Sequence, residues 1–459
     1  MGRGPRGAGI DQSIIAESPF LRNHFGPLRA GDPPPRGYHL DVPGEHMEDG
    51  VHMDHPLQLD ALIFGGGITG LWLLDALHRS GHRAILLEAG NLGEGQTIWS
   101  QGIIHGGLKY ALKGRPSRAS RMIRDMPMRW RRCLAGESAP DLSCSTMRGE
   151  YCCLWSLPGL RSRVGLLGAR FGLRVRPRPM PQSERPDPLR NWPGPVSRLD
   201  EQVIEPHSVL AMLADQHRPR CLQIDTRSGL EFLHDAPGQV TTVRLLNPET
   251  SEPLDLAPQR VFMAAGSGNA QLRRACGLSV HAMQLRPLHM VMARGGLPRM
   301  NGHCIRSTAP WLTITSTLDC ADRIVWQIGG QLAEDCVDMS SEDTIARAKR
   351  DLSLAMPDLD LSSTSFSTYR ADRAEASNST RRPDGPVRIL EGNTLTLWPT
   401  KLALVPMLTD QVMGDMPAPA GFQNNEDHLQ EWPRPTVALP PWERDVAWTD
   451  SHSAGRAST

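Results

Sequence analysis

From Leu57 onward, apolar and polar residues fall into short, regular blocks. Leu57 to Phe64 is apolar apart from Gln58 and Asp60, and Gly65-Gly-Gly67 closes it, the pattern of a strand with a buried end followed by a turn. Ile68–Arg79 places Leu71, Leu74, Ala76 and Leu77 at helical spacings, and Gly81 stops it. Ala84–Glu88 is a second apolar strand. Strand, helix and strand make a βαβ unit of about 30 residues. Its natural outcome is a parallel sheet with a right-handed crossover.

The same patterning predicts strands at Val240–Leu246, Arg260–Ala264, Met290–Ala293, Trp311–Ser316 and Arg323–Ile328. It predicts helices at Ser208–His217, Ser341–Ala355 and Thr400–Val412. Strands and helices alternate at the start and strands cluster in the middle. That points to an α/β cofactor domain interleaved with a second domain on a mixed or antiparallel sheet. The expected division gives 57–150, 200–270 and 366–414 to the cofactor domain, and 151–199 and 271–365 to the second. Of the first 56 residues, 17 are Gly or Pro, and prolines recur among charges after Asp415, so 1–56 and 415–459 are expected to be disordered tails.

Composition narrows the classes. The chain of 459 residues carries 50 basic and 50 acidic side chains, a balance that argues against a dedicated nucleic-acid binder. No long uncharged apolar run predicts a transmembrane helix, and the amino terminus lacks a signal-peptide core, so a cytoplasmic protein is expected. The nine cysteines are scattered and form no CxxC pair, so neither a zinc site nor a disulfide framework is indicated. His39, His46, His52 and His55 have irregular spacing and read as solvated polar residues, and no metal is expected.

Gly65-x-Gly67-x-x-Gly70 has the spacing of a dinucleotide fingerprint. Gly65 permits the tight turn, Gly67 lets a pyrophosphate approach the backbone, and Gly70 lets the helix pack on the sheet. The helix N-terminus offers free N–H groups to the phosphates. Glu88 ends the second strand, 18 residues after Gly70, where a carboxylate accepts hydrogen bonds from a ribose diol. After Glu88 small and polar residues run on from Ala89 to Tyr110, where a simple NAD enzyme returns to another helix and strand.

At this point the chain resembles the D-amino-acid-oxidase-like superfamily of FAD oxidoreductases, and within it most closely FAD-dependent glycerol-3-phosphate dehydrogenase. The resemblance is carried by Gly65–Gly70, Glu88, Gly95-Gln-Thr97 through Ser100, and Ile104-His-Gly-Gly-Leu-Lys-Tyr110. It recurs in Val261–Asn269, with its Ala265-Gly266, in Trp326–Gly330, and in Trp398-Pro-Thr-Lys401. It implies a Rossmann-like FAD-binding domain of the GR2 type. The FAD contacts it implies are Gly65, Gly67, Ile68, Thr69, Gly70, Glu88 and Ala89 on the first unit, then Gln96, Thr97, Ser100, Gly102, His105, Gly106 and Gly107. Downstream it implies Ala265, Gly266, Gly385, Thr400, Lys401 and Leu402, with the helix after Lys401 directing its N-terminus at the flavin. The run before His105 reads Thr97-Ile-Trp-Ser-Gln in place of a serine-rich stretch, and little chain follows Lys401. Both departures bear on whether the substrate is a phosphate.

His105 is the first catalytic candidate, as a proton acceptor or as a flavin contact. Arg370 and Arg373 are candidate clamps for a carboxylate or phosphate, or else surface ion pairs; Arg286 is a further candidate, for binding or for structure. Trp99, Trp311 and Trp326 are candidates to shape an apolar pocket. Residues 109–132 hold nine basic side chains interspersed with Met122, Ile123, Met126, Met128 and Trp130. That segment reads as a solvated helix packed on the core, with peripheral contact to the inner face of a membrane as the alternative. The resulting expectation is an FAD-dependent oxidoreductase acting on a small anionic alcohol, a 2-hydroxy acid or polyol phosphate such as glycerol 3-phosphate, by hydride transfer to flavin N5. A quinone, another carrier or oxygen would accept the electrons. Oxidation of an amino acid or other amine, a non-catalytic flavoprotein and an NAD-dependent dehydrogenase are the alternatives.

Overall fold

The computed structural model describes residues 56–106, 123–157, 177–306, 309–377, 383, 385–422 and 429–450. The expected amino-terminal tail up to residue 55 and the basic stretch 109–122 lie outside them. The opening unit forms as β1 (Leu57–Phe64), α1 (Ile68–Arg79) and β2 (Ala84–Glu88), with β1 and β2 parallel.

These strands lie inside an eight-stranded sheet. β1 is flanked by β2 and by Pro253–Met263, in parallel on both sides, and Cys221–Gln223 extends the β2 side. Thr394–Trp398 joins Pro253–Met263, also in parallel, and Val387–Glu391 turns back on it as an antiparallel edge. Side chains alternate across β1. Ala61 and Ile63 enter a core shared with α1 and the helix Val405–Met413, while Leu62 and Phe64 enter the core on the opposite face. A strand covered on both faces reads as a continuous apolar run, which is why β1 shows little polar alternation. Trp130, in the helix Met126–Leu134, is fully buried with its ring 4.8 Å from that of Trp72. Over this stretch the basic segment packs on the core.

The second sheet has nine strands, mostly antiparallel. Its spine is Met283–Gly295, paired over its whole length with Thr364–Ala376 and followed by Ile324–Gly329, Ala309–Leu318 and Gly302–Arg306. The helix Ser341–Ala355 covers its apolar face. That helix starts where the patterning puts it because the Ser340 side chain accepts the Asp343 N–H, capping a free helical donor.

Three expectations are corrected. The division at 365/366 does not hold, since Thr364–Ala376 belongs to the second sheet and the cofactor sheet resumes only at Val387. The helix expected from Thr400 begins at Val405, after a 3-10 turn at Leu402–Leu404, with Pro406 in its first turn where a missing N–H costs nothing. Residues 429–450 are not a tail. Trp432 is buried in the cofactor-domain core, Trp442 is buried against the second sheet, and Thr449–Asp450 pairs with Ser365–Phe366. Leu429, Trp432 and Trp442 are buried apolar anchors of this irregular, proline-rich stretch.

Candidate active site

The turn after β1 is tight. Gly65 has φ +102°, and a Cβ on it would lie 2.5 Å from the Ala265 Cα. A Cβ on Gly70 would lie 2.0 Å from the Gly65 carbonyl oxygen, so α1 and the turn touch backbone to backbone. Gly70 thus sets packing and does not line the cleft. Two loops close over α1. The Thr97 Oγ1 accepts the Ile68 N–H at 3.2 Å, and the Glu88 carboxylate accepts the Gly66 and Gly90 N–H groups at 2.6 and 2.8 Å. Burial pushes the Glu88 carboxyl up, against those hydrogen bonds, which favour its charge. Each of its oxygens keeps a lone pair for a sugar hydroxyl.

Between these parts lies a cavity of about 210 Å³. Gly65, Gly67, Ile68, Thr69, Glu88 and Ala89 line one side of it. Gln96, Thr97, Ser100, Ala265, Gly266 and Leu402 line the other. At Gly95 and Gly266 a Cβ would meet nothing within 4 Å, so bare backbone faces this space. The Ser100 Oγ and Trp398 Nε1 on its wall are buried without a hydrogen-bond partner among the described residues. A bare backbone cradle, an acidic strand end and unpaired polar atoms fit a dinucleotide laid across the strand ends.

A second cavity of about 260 Å³ adjoins it. The two share Gln96, Trp99, Ser100, Asp372 and Leu402 as walls. Gly102, His105, Arg373, Thr400 and Lys401 line the second cavity, as do Gln101, His303 and Glu334, which sequence reasoning did not single out. Thr400 holds φ +60°, which costs a non-glycine residue about 1–3 kcal/mol. Its hydroxyl donates to the Gly385 carbonyl at 3.1 Å, so Gly385 supports the wall without lining the cavity.

The arginines divide. The Arg373 Nη1 lies 3.1 Å from Glu334 on the cavity wall. Arg370 is not in the site; its guanidinium donates to the Val337 and Met339 carbonyls at the exposed face. The strand pairs without a bulge, so an interval of three residues puts the two side chains on opposite faces. Arg286 pairs with the fully buried Glu375 at 3.3 Å and supports Glu334 at 3.6 Å from behind. Of the tryptophans, Trp99 lines both cavities, whereas Trp311 and Trp326 are buried in the core under the second sheet.

His105 opens 40% of its side-chain surface onto the second cavity, and its Nδ1 lies 3.6 Å from the Oε2 of Glu201, a carboxylate that is 1% exposed. The same Oε2 lies 3.3 Å from the Nε2 of buried His303. The Gly106 N–H donates to the other carboxylate oxygen at 2.6 Å, so Gly106 organises the site from behind. Gly107 lies outside the described residues. Burial disfavours the imidazolium and pulls the His105 pKa below its ordinary value, against the attraction of Glu201. Glu201 is driven the other way: burial opposes its charge, but the two histidines hold its carboxyl far below the usual range. Glu201 and His303 each stand alone in the sequence with no motif around them, so no sequence signal could have found them.

The family model described as FAD dependent oxidoreductase matches residues 60–399. The chain is 36% identical over 397 residues to a probable FAD-dependent oxidoreductase of Pseudomonas aeruginosa, covering 85% of this chain and 99% of that one. The crystal structure of the Pseudomonas protein superposes with a TM-score of 0.71 at 33% identity over 85% of this chain and 99% of that one. Over 57 residues, 12% of this chain and 11% of the relative, it is 44% identical to glycerol-3-phosphate dehydrogenase 1 of Mycobacterium tuberculosis. Glycine oxidase from Geobacillus kaustophilus shares the fold, with a TM-score of 0.55 at 14% identity over 78% of this chain and 94% of that one.

Proposed function

Since this chain belongs to the family of FAD dependent oxidoreductases, we propose that it oxidises a small anionic alcohol, a 2-hydroxy acid or a polyol phosphate such as glycerol 3-phosphate. The enzyme depends on FAD, which when bound supplies the hydride acceptor at ring N5. Gly65, Gly67, Glu88, Thr97, Gly266 and their neighbours are the residues that would hold it.

One observation carries the reading. A histidine held toward its neutral form and backed by a buried carboxylate faces a cavity that also carries Arg373 and Lys401 and adjoins the nucleotide cleft. An alcohol must lose its O–H proton as its C–H bond breaks, and His105 takes that proton. Arg373 and Lys401 hold the anionic end and orient the carbon; Trp99 and Leu402 limit water at the junction of the two cavities. A second reading, oxidation of an amino acid, is favoured by Glu334, whose carboxylate beside Arg373 gives the wall both signs of charge and suits a zwitterion. A quinone, another carrier or oxygen re-oxidises the enzyme in either reading. No described helix is long and apolar enough to cross a membrane. A cytoplasmic protein, with peripheral contact to the inner face of a membrane through the basic segment as the alternative, is part of this proposal.

The test is anaerobic mixing of the purified yellow holoenzyme with glycerol 3-phosphate, 2-hydroxy acids, and D- and L-amino acids. Bleaching by an alcohol supports the first reading. Bleaching by amino acids alone replaces it with the second.

A further inference from the structure

We propose that Glu201 is the positioning residue of this site, and that by bridging His105 and His303 it holds the His105 ring with Nδ1 protonated and turned inward, leaving Nε2 for the substrate hydroxyl. This rests on the reading of His105 as proton acceptor and names the residues through which that histidine acts.

The trio is assembled from three distant places. His105 follows the loop after β2, Glu201 follows the strand Val196–Leu199, and His303 sits on Gly302–Arg306. Glu201 is almost without solvent, so its charge needs donors from the protein. The Gly106 N–H supplies one at 2.6 Å. Because Gly106 is next to His105 in the chain, this bond ties the carboxylate to the backbone that carries the ring. On the other side His303 is fixed to the sheet, with its Nδ1 3.0 Å from the hydroxyl of Thr313, its cross-strand partner. Glu201 Oε2 and His303 Nε2 face each other at 3.3 Å, buried and without a well-aligned hydrogen bond, and His105 Nδ1 approaches the same oxygen at 3.6 Å. Two imidazoles therefore share one carboxylate oxygen, and a small rotation of the His105 ring closes its distance to a hydrogen bond.

The consequence is a defined tautomer. An Nδ1–H donated to Glu201 leaves the lone pair on Nε2, which makes no hydrogen bond among the described residues. When the substrate O–H bond breaks, an Nε2–H bond forms, and the oxygen's electron pair becomes the carbonyl π bond as a hydride leaves carbon, which FAD, when bound, would accept. The imidazolium so formed lies against the Glu201 charge and is stabilised by it. The other groups bearing on the trio are Lys401 on the cavity wall, which opposes a charge on His105, and the buried Cys152, whose thiol burial pushes well up so that it stays protonated.

The experiment is NMR of histidine-labelled holoenzyme, with the signals of His105 and His303 assigned by substitution. In the native enzyme His105 is expected as the Nδ1–H tautomer. In Glu201→Gln that preference is lost and the His105 midpoint falls by about one pH unit or more. Glu201→Asp, which keeps the charge, recovers part of the shift. Should Glu201→Gln fail to fold, His303→Leu reads the same coupling with the opposite sign, because the apolar side chain has no donor, His105 then has the carboxylate oxygen to itself and its midpoint rises. An unchanged His105 tautomer and midpoint in these variants overturns the inference, whichever donor reduces the enzyme. Stoichiometric zinc lost on substitution of any of the three also overturns it, since a metal would occupy the Nδ1 position. By contrast, His105→Ala enzyme that is reduced as fast as the native protein removes the proton-acceptor reading and leaves the tautomer result standing.

Discussion

The cleft at the glycine turn and the cavity beside it share walls but are made in different ways. The cleft is backbone. Its turn, helix start and acidic strand end come from one contiguous stretch between β1 and β2, and its shape depends on atoms that glycine lacks. The cavity is side chains. His303 and Arg373 reach it from two strands of the second sheet, Glu334 from the helix Gln331–Asp335, and Gln101, His105 and Lys401 from loops. A backbone site fails where an added Cβ meets other backbone, as at Gly65 and Gly70. A side-chain site fails one function at a time.

The largest effect expected on the cleft comes from Gly70→Val. The added atoms meet the Gly65 carbonyl, which is backbone and cannot swing away. The variant should lose about 3 kcal/mol or more of stability in denaturant unfolding and purify without yellow colour. A stable yellow Gly70→Val protein would break the contrast at its stronger side.

On the cavity side, His105→Ala should keep its FAD and slow flavin reduction about 10²- to 10⁴-fold in stopped-flow measurements. The pH profile sharpens the point. If neutral His105 is the base, as proposed, the reduction rate should rise with pH through its midpoint and then level off. Burial puts that midpoint below the ordinary imidazole value of about 6.5. A rate still climbing well above neutral pH would assign the proton to another group.

Smaller again is Arg373→Ala. Losing a charged hydrogen bond to the substrate should raise KM about 10- to 100-fold with less change in kcat. Arg370→Ala is its control. It removes bonds to the Val337 and Met339 carbonyls, outside both cavities. KM should not move, and stability should fall by about 1 kcal/mol. Equal KM effects from the two variants would contradict their placement on opposite faces.

Much of this was legible in the sequence where interactions are local. The β1–α1–β2 unit and the helix at Ser341–Ala355 form within the predicted bounds, because hydrophobic period, glycine punctuation and a capping serine act over a few residues. The contiguous part of the cleft was legible for the same reason. Alternation puts Arg370 and Arg373 on opposite faces of the strand, but the sequence does not say which of them reaches the site. The carboxyl-terminal stretch was misjudged because composition counts prolines and charges, whereas burial depends on where Leu429, Trp432 and Trp442 find a surface.

By itself, then, the sequence determined the β1–α1–β2 unit with its glycine turn and the FAD-binding α/β fold class, since each rests on neighbours in the chain or on a motif within it. Only the tertiary structure decided that Glu201 and His303 stand behind His105, that Glu334 faces Arg373, and that residues 429–450 bind both sheets together. These contacts join residues far apart in the chain. Chain spacing carries no record of them, because each is fixed by how the two sheets pack.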